Sequence, residues 1–249
     1  MADRFLIVSD VDGTMLGDDS ALESLAAWLA PRRDSIQLVY NSGRSTDSLR
    51  RSVAKTLLPK PDALIGNVGT QVESFDTSTP LGDWPVLSGA WDQNVVRQVF
   101  QEIEGVALQP AGFQSQHKVS YFAYDASEAQ IGAWQAQLEA AGLNVKIVYS
   151  SQRDLDILPT GIDKGTATAH LADAWKVPLD RVIVCGDTGN DIAMFEQGFL
   201  GIVVGNALPE LKSLNSPRIF QASDHFAAGV GEGLRHWFEN SESAPLRRA

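Results

Sequence analysis

Apolar residues fall along this chain in two alternating rhythms. Phe5-Leu6-Ile7-Val8, Leu38-Val39-Tyr40, Ala63-Leu64-Ile65 and Val182-Ile183-Val184-Cys185 are short runs without polar interruption, the pattern of strands buried on both faces of a parallel sheet. Between them, apolar residues recur at helical spacing. Leu22, Leu25, Ala26 and Leu29 predict a helix closed by Pro31 before a strand from Ile36 to Tyr40. Leu49, Val53 and Leu57 predict another, capped by Thr46 or Asp47 and ended near Pro59 and Pro61. Ala167, His170, Leu171 and Trp175 predict a third, starting at Lys164. Beyond Cys185 come a short helix from Asp191 to Phe195, a strand from Gly201 to Val204 and a helix opened by Asn206-Ala207-Leu208-Pro209. A short strand at Ile219-Phe220 and a helix from Phe226 to Phe238 follow, with Glu239 to Ala249 expected to fray. Strand and helix alternate, so the predicted fold class is α/β, a doubly wound parallel sheet.

The middle of the chain breaks this rhythm. Gly66-Asn67-Val68-Gly69 reads as a turn, after which Thr70 to Phe75 alternates polar and apolar residues and is predicted to leave the core as part of a hairpin. Ser74 to Gly89, rich in Thr, Ser, Pro and Gly, reads as a junction. From Val95 to Tyr149, amphipathic helices (95–103 and 128–141) alternate with half-polar strands (106–109, 118–124 and 145–148). That pattern predicts an antiparallel layer with one free face. Gln152 to Pro159 is expected to return the chain to the core, Pro159 arguing against a central strand. The predicted boundaries are 1–79 and 159–249 for the two parts of the core and 80–158 for a smaller inserted α/β domain.

Bulk properties narrow the function. With 249 residues, a core plus an insertion has ample material to bury. A formal net charge of −11 and the lack of a basic run argue against nucleic acid or an anionic membrane as partner. No apolar stretch reaches the roughly 20 residues of a membrane span. The single cysteine, Cys185, lies inside an apolar strand and suits a small core residue in a reducing compartment, so a cytoplasmic protein is expected, and a monomer.

The chemistry gathers where the buried runs end, which in an open α/β sheet is where ligands bind. The first run ends in Asp10-Val11-Asp12-Gly13-Thr14, and a turn at Gly13 can bring both carboxylates to one site, Asp10 as nucleophile and Asp12 as acid and base. A carboxylate attacks a phosphate ester only if the charge between them is cancelled, which calls for a cation and donors around the same strand end. Ser42 and Gly43 offer a phosphate cradle, and Lys164 a lone ammonium. Asp187 would hold Mg2+ with Asp10, since a hard cation takes one or two carboxylates. Asp191, one helical turn on, could ligate through water or fix Lys164. Thr188 and Asn190 would orient these groups and Asn190 contact phosphate, while Arg44 is open between a phosphate- or sugar-directed role and a surface one. In the insertion, His117-Lys118-Val119-Ser120-Tyr121 offers donors and acceptors suited to sugar hydroxyls. The other histidines match no metal spacing.

These four clusters, in this order, resemble the four motifs of the haloacid dehalogenase superfamily of phosphohydrolases. Their spacing is similar to that of members with a cap inserted after the second motif. The likeness extends along nearly the whole chain to the sucrose-phosphate phosphatases, through His117 to Ser120, Val148 to Ser151, Asp154 to Pro159, Lys164-Gly165 and Gly186 to Asp191. It implies a Rossmann-like core with an α/β cap and a magnesium-dependent phosphatase of disaccharide phosphates, with the Asp12 backbone carbonyl among the metal ligands. Sequences acting on mannosylfructose phosphate share much of the pattern, including Val204 to Pro209. The stretch at Lys118, with Asp83-Trp84 and Trp91-Asp92, favours sucrose 6-phosphate; a phosphomutase and a silent sugar-phosphate sensor are the competing classes.

Overall fold

A computed structural model describes residues 4–76 and 81–243. In chain order, the first stretch gives β1 (Phe5–Ser9), α1 (Asp19–Leu29), β2 (Ile36–Asn41), α2 (Thr46–Lys55), β3 (Ala63–Gly66) and β4 (Gln71–Ser74). The middle gives α3 (Gln93–Gln101), β5 (Val106–Leu108), β6 (Val119–Ala123), α4 (Glu128–Ala140), β7 (Val145–Ser150) and β8 (Asp154–Pro159). The last part gives α5 (Lys164–Ala174), β9 (Val182–Gly186), α6 (Ile192–Phe195), β10 (Leu200–Val203), α7 (Pro209–Lys212), β11 (Ile219–Gln221) and α8 (Phe226–Ser243).

Two sheets result. The core sheet runs β11-β10-β9-β1-β2-β3-β4, parallel except where β4 pairs antiparallel with β3. Its central strands are the uninterrupted apolar runs, and all five residues of β1 are buried. The cap sheet runs β5-β6-β8-β7 and is antiparallel throughout. Its alternation divides it into two faces. Val119, Tyr121, Ala123, Leu155 and Ile157 pack on Val96, Phe100, Trp134 and Leu138 of α3 and α4, leaving Ser120, Phe122, Asp154 and Asp156 for the side that meets the core.

Cap and core meet through an apolar seam and two lysines. Val148 and Leu158 of the cap pack on Val68 of the core. Lys146 reaches Asp163 at 2.6 Å, and Lys118 lies 3.3 Å from the Gly43 carbonyl. The segment at residues 81–84, between β4 and α3, is also tied down. His170 Nε2 lies 2.7 Å from the Leu81 carbonyl, Trp84 packs on the His170 ring, and Trp84 donates to the Gly69 carbonyl.

Several elements depart from the sequence-based expectations. Residues 154–159 form a central cap strand, because Pro159 is its last residue: β6 pairs with β8 only as far as Ile157, so the missing N–H interrupts nothing there. The expected boundary after residue 158 therefore falls inside β8. Residues 71–74 form the expected hairpin with β3 and are half-buried, but they stay in the core sheet as its antiparallel edge instead of leaving it. Ser45, neither Thr46 nor Asp47, caps α2 by accepting from Ser48 N, and the helix stops at Lys55, leaving Leu57 half exposed. The closing helix runs on to Ser243, past the Phe238 end expected for it. The expected 79/80 boundary, part of the 74–89 junction, and the tail beyond 243 lie outside the described residues.

Candidate active site

Asp10 follows β1 directly, and its N–H donates to the Cys185 carbonyl of the adjacent β9. The residue is 5% exposed, and its carboxylate meets Lys164 Nζ at 2.7 Å. The same ammonium meets Asp191 Oδ1 at 2.7 Å and is itself fully buried. Lys164 opens α5 one residue after the Asp163 cap. Asn41, at the end of β2, donates to the Lys164 carbonyl at 2.9 Å and so fixes its main chain. Gly165 is a necessity of packing: a Cβ there would lie 2.0 Å from the Ala193 carbonyl oxygen.

Asp187 follows β9 and completes the group. Asp10, Asp187 and Asp191 each present a carboxylate oxygen, all within 4.8 Å of one another. Thr14 donates to Asp187 Oδ1 at 3.2 Å. Gly13, at φ +83, turns the chain beside it where any Cβ would lie 2.1 Å from Asp187 Oδ2. The carbonyl of Gly13 accepts from Asn206 Nδ2 at 2.7 Å and that of Asp187 from Leu208 N at 2.7 Å, so residues 206–208 brace both loops.

Three carboxylates around one ammonium leave an excess of negative charge. Burial pushes the Asp187 carboxyl up to about 7, with the Asp191 charge adding to it and Lys164 opposing. Burial likewise raises Asp10 well above the usual carboxylate range, against the pull of Lys164. For Lys164, burial works downward but is outweighed by Asp10 and Asp191, so its ammonium stays charged. An all-oxygen donor set with surplus negative charge fits a small divalent cation. Asp191 is the least free of the three. Its Oδ1 holds Lys164, and its Oδ2 accepts from Asp187 N at 3.0 Å and Thr188 N at 3.1 Å. It therefore fixes the lysine and the turn, and Asp10 and Asp187 are the less committed two of the three.

Asp12 stands apart from this trio. Its exposed carboxylate pairs with the Arg44 guanidinium, whose other nitrogen donates to Ser52 Oγ at 2.9 Å. Arg44 is thus tied to Asp12 instead of reaching towards the cap. Ser42 Oγ accepts from Arg44 N at 3.2 Å, which leaves the hydroxyl proton to donate elsewhere.

A cleft of about 570 Å3 runs from Asp10, Asp12, Ser42, Gly43, Arg44, Thr188 and Asn190 to the inner face of the cap. On the cap side, Lys118 is 2% exposed, lies 3.5 Å from Asp156 Oδ1, and reaches Gly43 of the core. Ser120 donates to the same Asp156 oxygen. Asp154 accepts from Gln109 at 2.9 Å and pairs with Arg153, whose guanidinium lies over the Phe122 ring.

Two of the expected sugar contacts lie elsewhere. Tyr121 points away from the cleft, because side chains alternate along β6 and Ser120 and Phe122 take the inner face; its ring stacks on Phe100 with centroids 4.6 Å apart. His117 lines shallow grooves beside Glu73, Trp84 and Trp91, outside the cleft. Of the other residues read as favouring one sugar, Trp84 packs on His170, Trp91 donates to the Gln116 carbonyl, and Asp92 caps α3. Conversely, Gln109, Phe113, Phe122, Ser150, Ser151, Arg153, Asp154 and Asp156 line the cleft without having been singled out for it. The i, i+2 spacing of Asp154 and Asp156 was the signal for two of them, since it puts two carboxylates on one strand face.

The model of the family described as sucrose-6F-phosphate phosphohydrolase matches residues 3–238. The chain belongs to this family. It is a phosphatase of phosphate monoesters with the α/β core and cap of the haloacid dehalogenase superfamily. A mannosylfructose-phosphate phosphatase of Agrobacterium fabrum is 41% identical to it, over 93% of this chain and 96% of that protein. Sucrose-phosphatase 1 of Nicotiana tabacum is 32% identical over 98% of this chain, which spans only 61% of the tobacco protein. The structure of the sucrose-phosphatase of Synechocystis in complex with sucrose and phosphate superposes with a TM-score of 0.86, at 31% identity, covering 96% of this chain and 99% of that one. No helix of the described residues is long and apolar enough to cross a membrane.

Proposed function

We propose that this phosphatase hydrolyses the phosphate ester of a fructose-containing disaccharide, with sucrose 6-phosphate as substrate, through an aspartyl phosphate on Asp10. The observation that carries the reading is the continuity of the cleft, from a buried nucleophile paired with Lys164 at 2.7 Å to a polar cap face large enough for two sugar rings. Asp10 attacks phosphorus, and the P–O bond to the sugar breaks. Asp12, at the mouth of the core site, gives its proton to the leaving oxygen and then takes one from the water that releases phosphate. Lys164 and the Ser42 hydroxyl hold the non-bridging oxygens as charge develops on them. Asp10 and Asp187 would hold Mg2+, which supplies charge neutralisation at the phosphoryl group. Asn190 lines the same end of the cleft and is assigned a phosphate contact.

Mannosylfructose phosphate is the second reading, favoured by the 41% identity to the Agrobacterium enzyme over nearly the full length of both chains. Glucose and mannose differ only in the orientation of one hydroxyl. Discrimination therefore falls to the polar cap groups, where an unpaired buried donor or acceptor penalises the wrong sugar. The buried free thiol of Cys185 suits a cytoplasmic protein.

The test is phosphate release from sucrose 6-phosphate, mannosylfructose phosphate and monosaccharide phosphates, with Mg2+ and with a chelator, alongside isomer analysis of the products. A kcat/KM for sucrose 6-phosphate at least tenfold above the others supports the first reading. The same margin for mannosylfructose phosphate replaces it with the second. Sugar isomerisation without phosphate release would make the chain a mutase, and no turnover at all would make it a sensor.

A further inference from the structure

Apart from Gly43, every residue lining the substrate cleft is polar except two phenylalanines at its cap end, Phe113 and Phe122. Phe122 is engaged within the protein: its ring centroid lies 6.2 Å from that of Tyr124 and 5.7 Å from the Arg153 guanidinium. Phe113 meets no other ring or cation among the described residues, and it is 48% exposed. A single exposed apolar residue is ordinary on a protein surface, but the chain around this one is held firmly. Residues 111–113 form one 3-10 turn after Pro110, closed by the Phe113 N–H donating to the Pro110 carbonyl at 2.9 Å. The Phe113 carbonyl accepts from Ser120 Oγ at 3.1 Å. Where β5 ends, the Gln114 side chain takes the place of a further strand residue. Its oxygen accepts from Ser120 N at 2.9 Å, and its amide donates to the Ser120 carbonyl at 3.0 Å and the Gln109 carbonyl at 2.9 Å. Phe113 is thus bound through its own main chain and its neighbour to β6, the strand that brings Ser120 to the cleft.

A fixed aromatic ring among polar groups suits one kind of ligand surface. A hexopyranose carries most of its hydroxyls around its edge and C–H bonds on its faces, so a ring covers a face while polar groups meet the edge. The inference rests on the function proposed above, in which the phosphorylated fructose unit lies at Asp10 and the second hexose under the cap. We propose that the Phe113 ring is the platform for the face of that second hexose turned away from the glycosidic bond, and that it selects a glucosyl over a mannosyl unit. In both disaccharides the axial glycosidic oxygen blocks one face of the hexose. The opposite face of the glucosyl ring carries only hydrogens in axial positions, on C2 and C4. In the mannosyl ring an axial hydroxyl on C2 projects from that face and lifts the sugar off the platform. Phe113 therefore separates the two candidate substrates at the one carbon where they differ, by shape instead of by a hydrogen bond.

The test compares kcat/KM for sucrose 6-phosphate, mannosylfructose phosphate and fructose 6-phosphate, which lacks the second hexose, in the parent, Phe113→Ala and Phe113→Tyr. Phe113→Ala is expected to lower the value for sucrose 6-phosphate about tenfold, mainly through KM, and to leave the other two within about threefold, while Phe113→Tyr keeps the parent preference. A ring that merely steadied its loop would instead cost both disaccharide phosphates alike. Free sucrose added to the parent is expected to show nuclear Overhauser effects from its glucosyl H2 and H4 to phenylalanine ring protons that vanish in Phe113→Ala. Equal losses on the two disaccharide phosphates, an unchanged value for sucrose 6-phosphate, or no such effect with sucrose would overturn the platform and leave the proposed phosphatase standing. A parent that shows the effect with sucrose but does not hydrolyse sucrose 6-phosphate would keep the platform and defeat the substrate reading; one that does neither would defeat both.

Discussion

The cleft joins two ends built in different ways. At the core end, the charges are buried and tightly bonded: Lys164 touches two carboxylates at 2.7 Å each, and Asp191 uses both of its oxygens. At the cap end, the contacts are spread over one face of a sheet, with Lys118, Ser120 and Asp156 at the centre and Gln109, Asp154 and Arg153 at the rim. On the proposed function, the core end would concentrate charge on a phosphoryl group that is the same in every ester, and the cap end would distribute hydrogen-bonding groups over a leaving group that varies. Reaction type would then rest on a few tightly held residues, and specificity on many that share the task.

The largest expected effect is at the core. Asp10→Asn keeps the volume and removes the attacking charge, so turnover should fall by about 10^4-fold or more, as when the nucleophile of a concerted site is lost. Phosphate release under single-turnover conditions checks it. Lys164→Met leaves Asp10 and Asp191 buried without their ammonium, and stability should drop by about 3–5 kcal/mol, read by denaturant titration. A Lys164→Met protein as stable as the parent would mean that the carboxylates are not held charged by this lysine.

The cap should respond differently. Asp156→Asn removes the countercharge of Lys118 and weakens the bond from Ser120, so KM for the disaccharide phosphate should rise by about 10- to 100-fold, the equivalent of ~1.5–3 kcal/mol for a charged hydrogen bond. Turnover of a small phosphate ester, which does not reach the cap, should be spared. Equal losses on both substrates would erase the distinction between the two ends.

The smallest effect is at the joint between them. Burial alone would raise the Asp163 carboxyl, but its bonds to Lys146 and Thr166 hold it below the usual value. A group depressed in the folded state stabilises above its unfolded value, near 3.8 for this carboxyl, and loses that contribution as pH falls through the folded value. Lys146→Met should therefore cost up to ~1 kcal/mol at neutral pH, since the lysine is 40% exposed, and nothing at the acid end. Urea midpoints across that range check it.

The same contrast decides what the sequence discloses. Asp10, Ser42 and Asp187 follow uninterrupted apolar runs, where strand ends in a parallel sheet converge whatever the remaining packing, and Lys164 stands out as the lone lysine that opens a helical pattern. The cap gave its elements but not its faces. Tyr121 looks as suited to a sugar as Ser120 until the register of β6 puts it against Phe100. Pro159 was misleading for a related reason, since a proline excludes a strand only where a neighbour needs its N–H, and pairing partners are not visible in one segment. The Arg44 pairing with Asp12 and the bracing by Asn206 are likewise long-range contacts between loops, with no local pattern to announce them.

The central claim is that Asp10 carries the phosphoryl group. Quenching the enzyme during turnover of sucrose 6-phosphate, reducing any acyl phosphate with borohydride and mapping the peptides tests it directly. Homoserine at position 10 is the predicted result. Its appearance at position 12 instead, or its absence from every aspartate while phosphate is still released, would contradict the account.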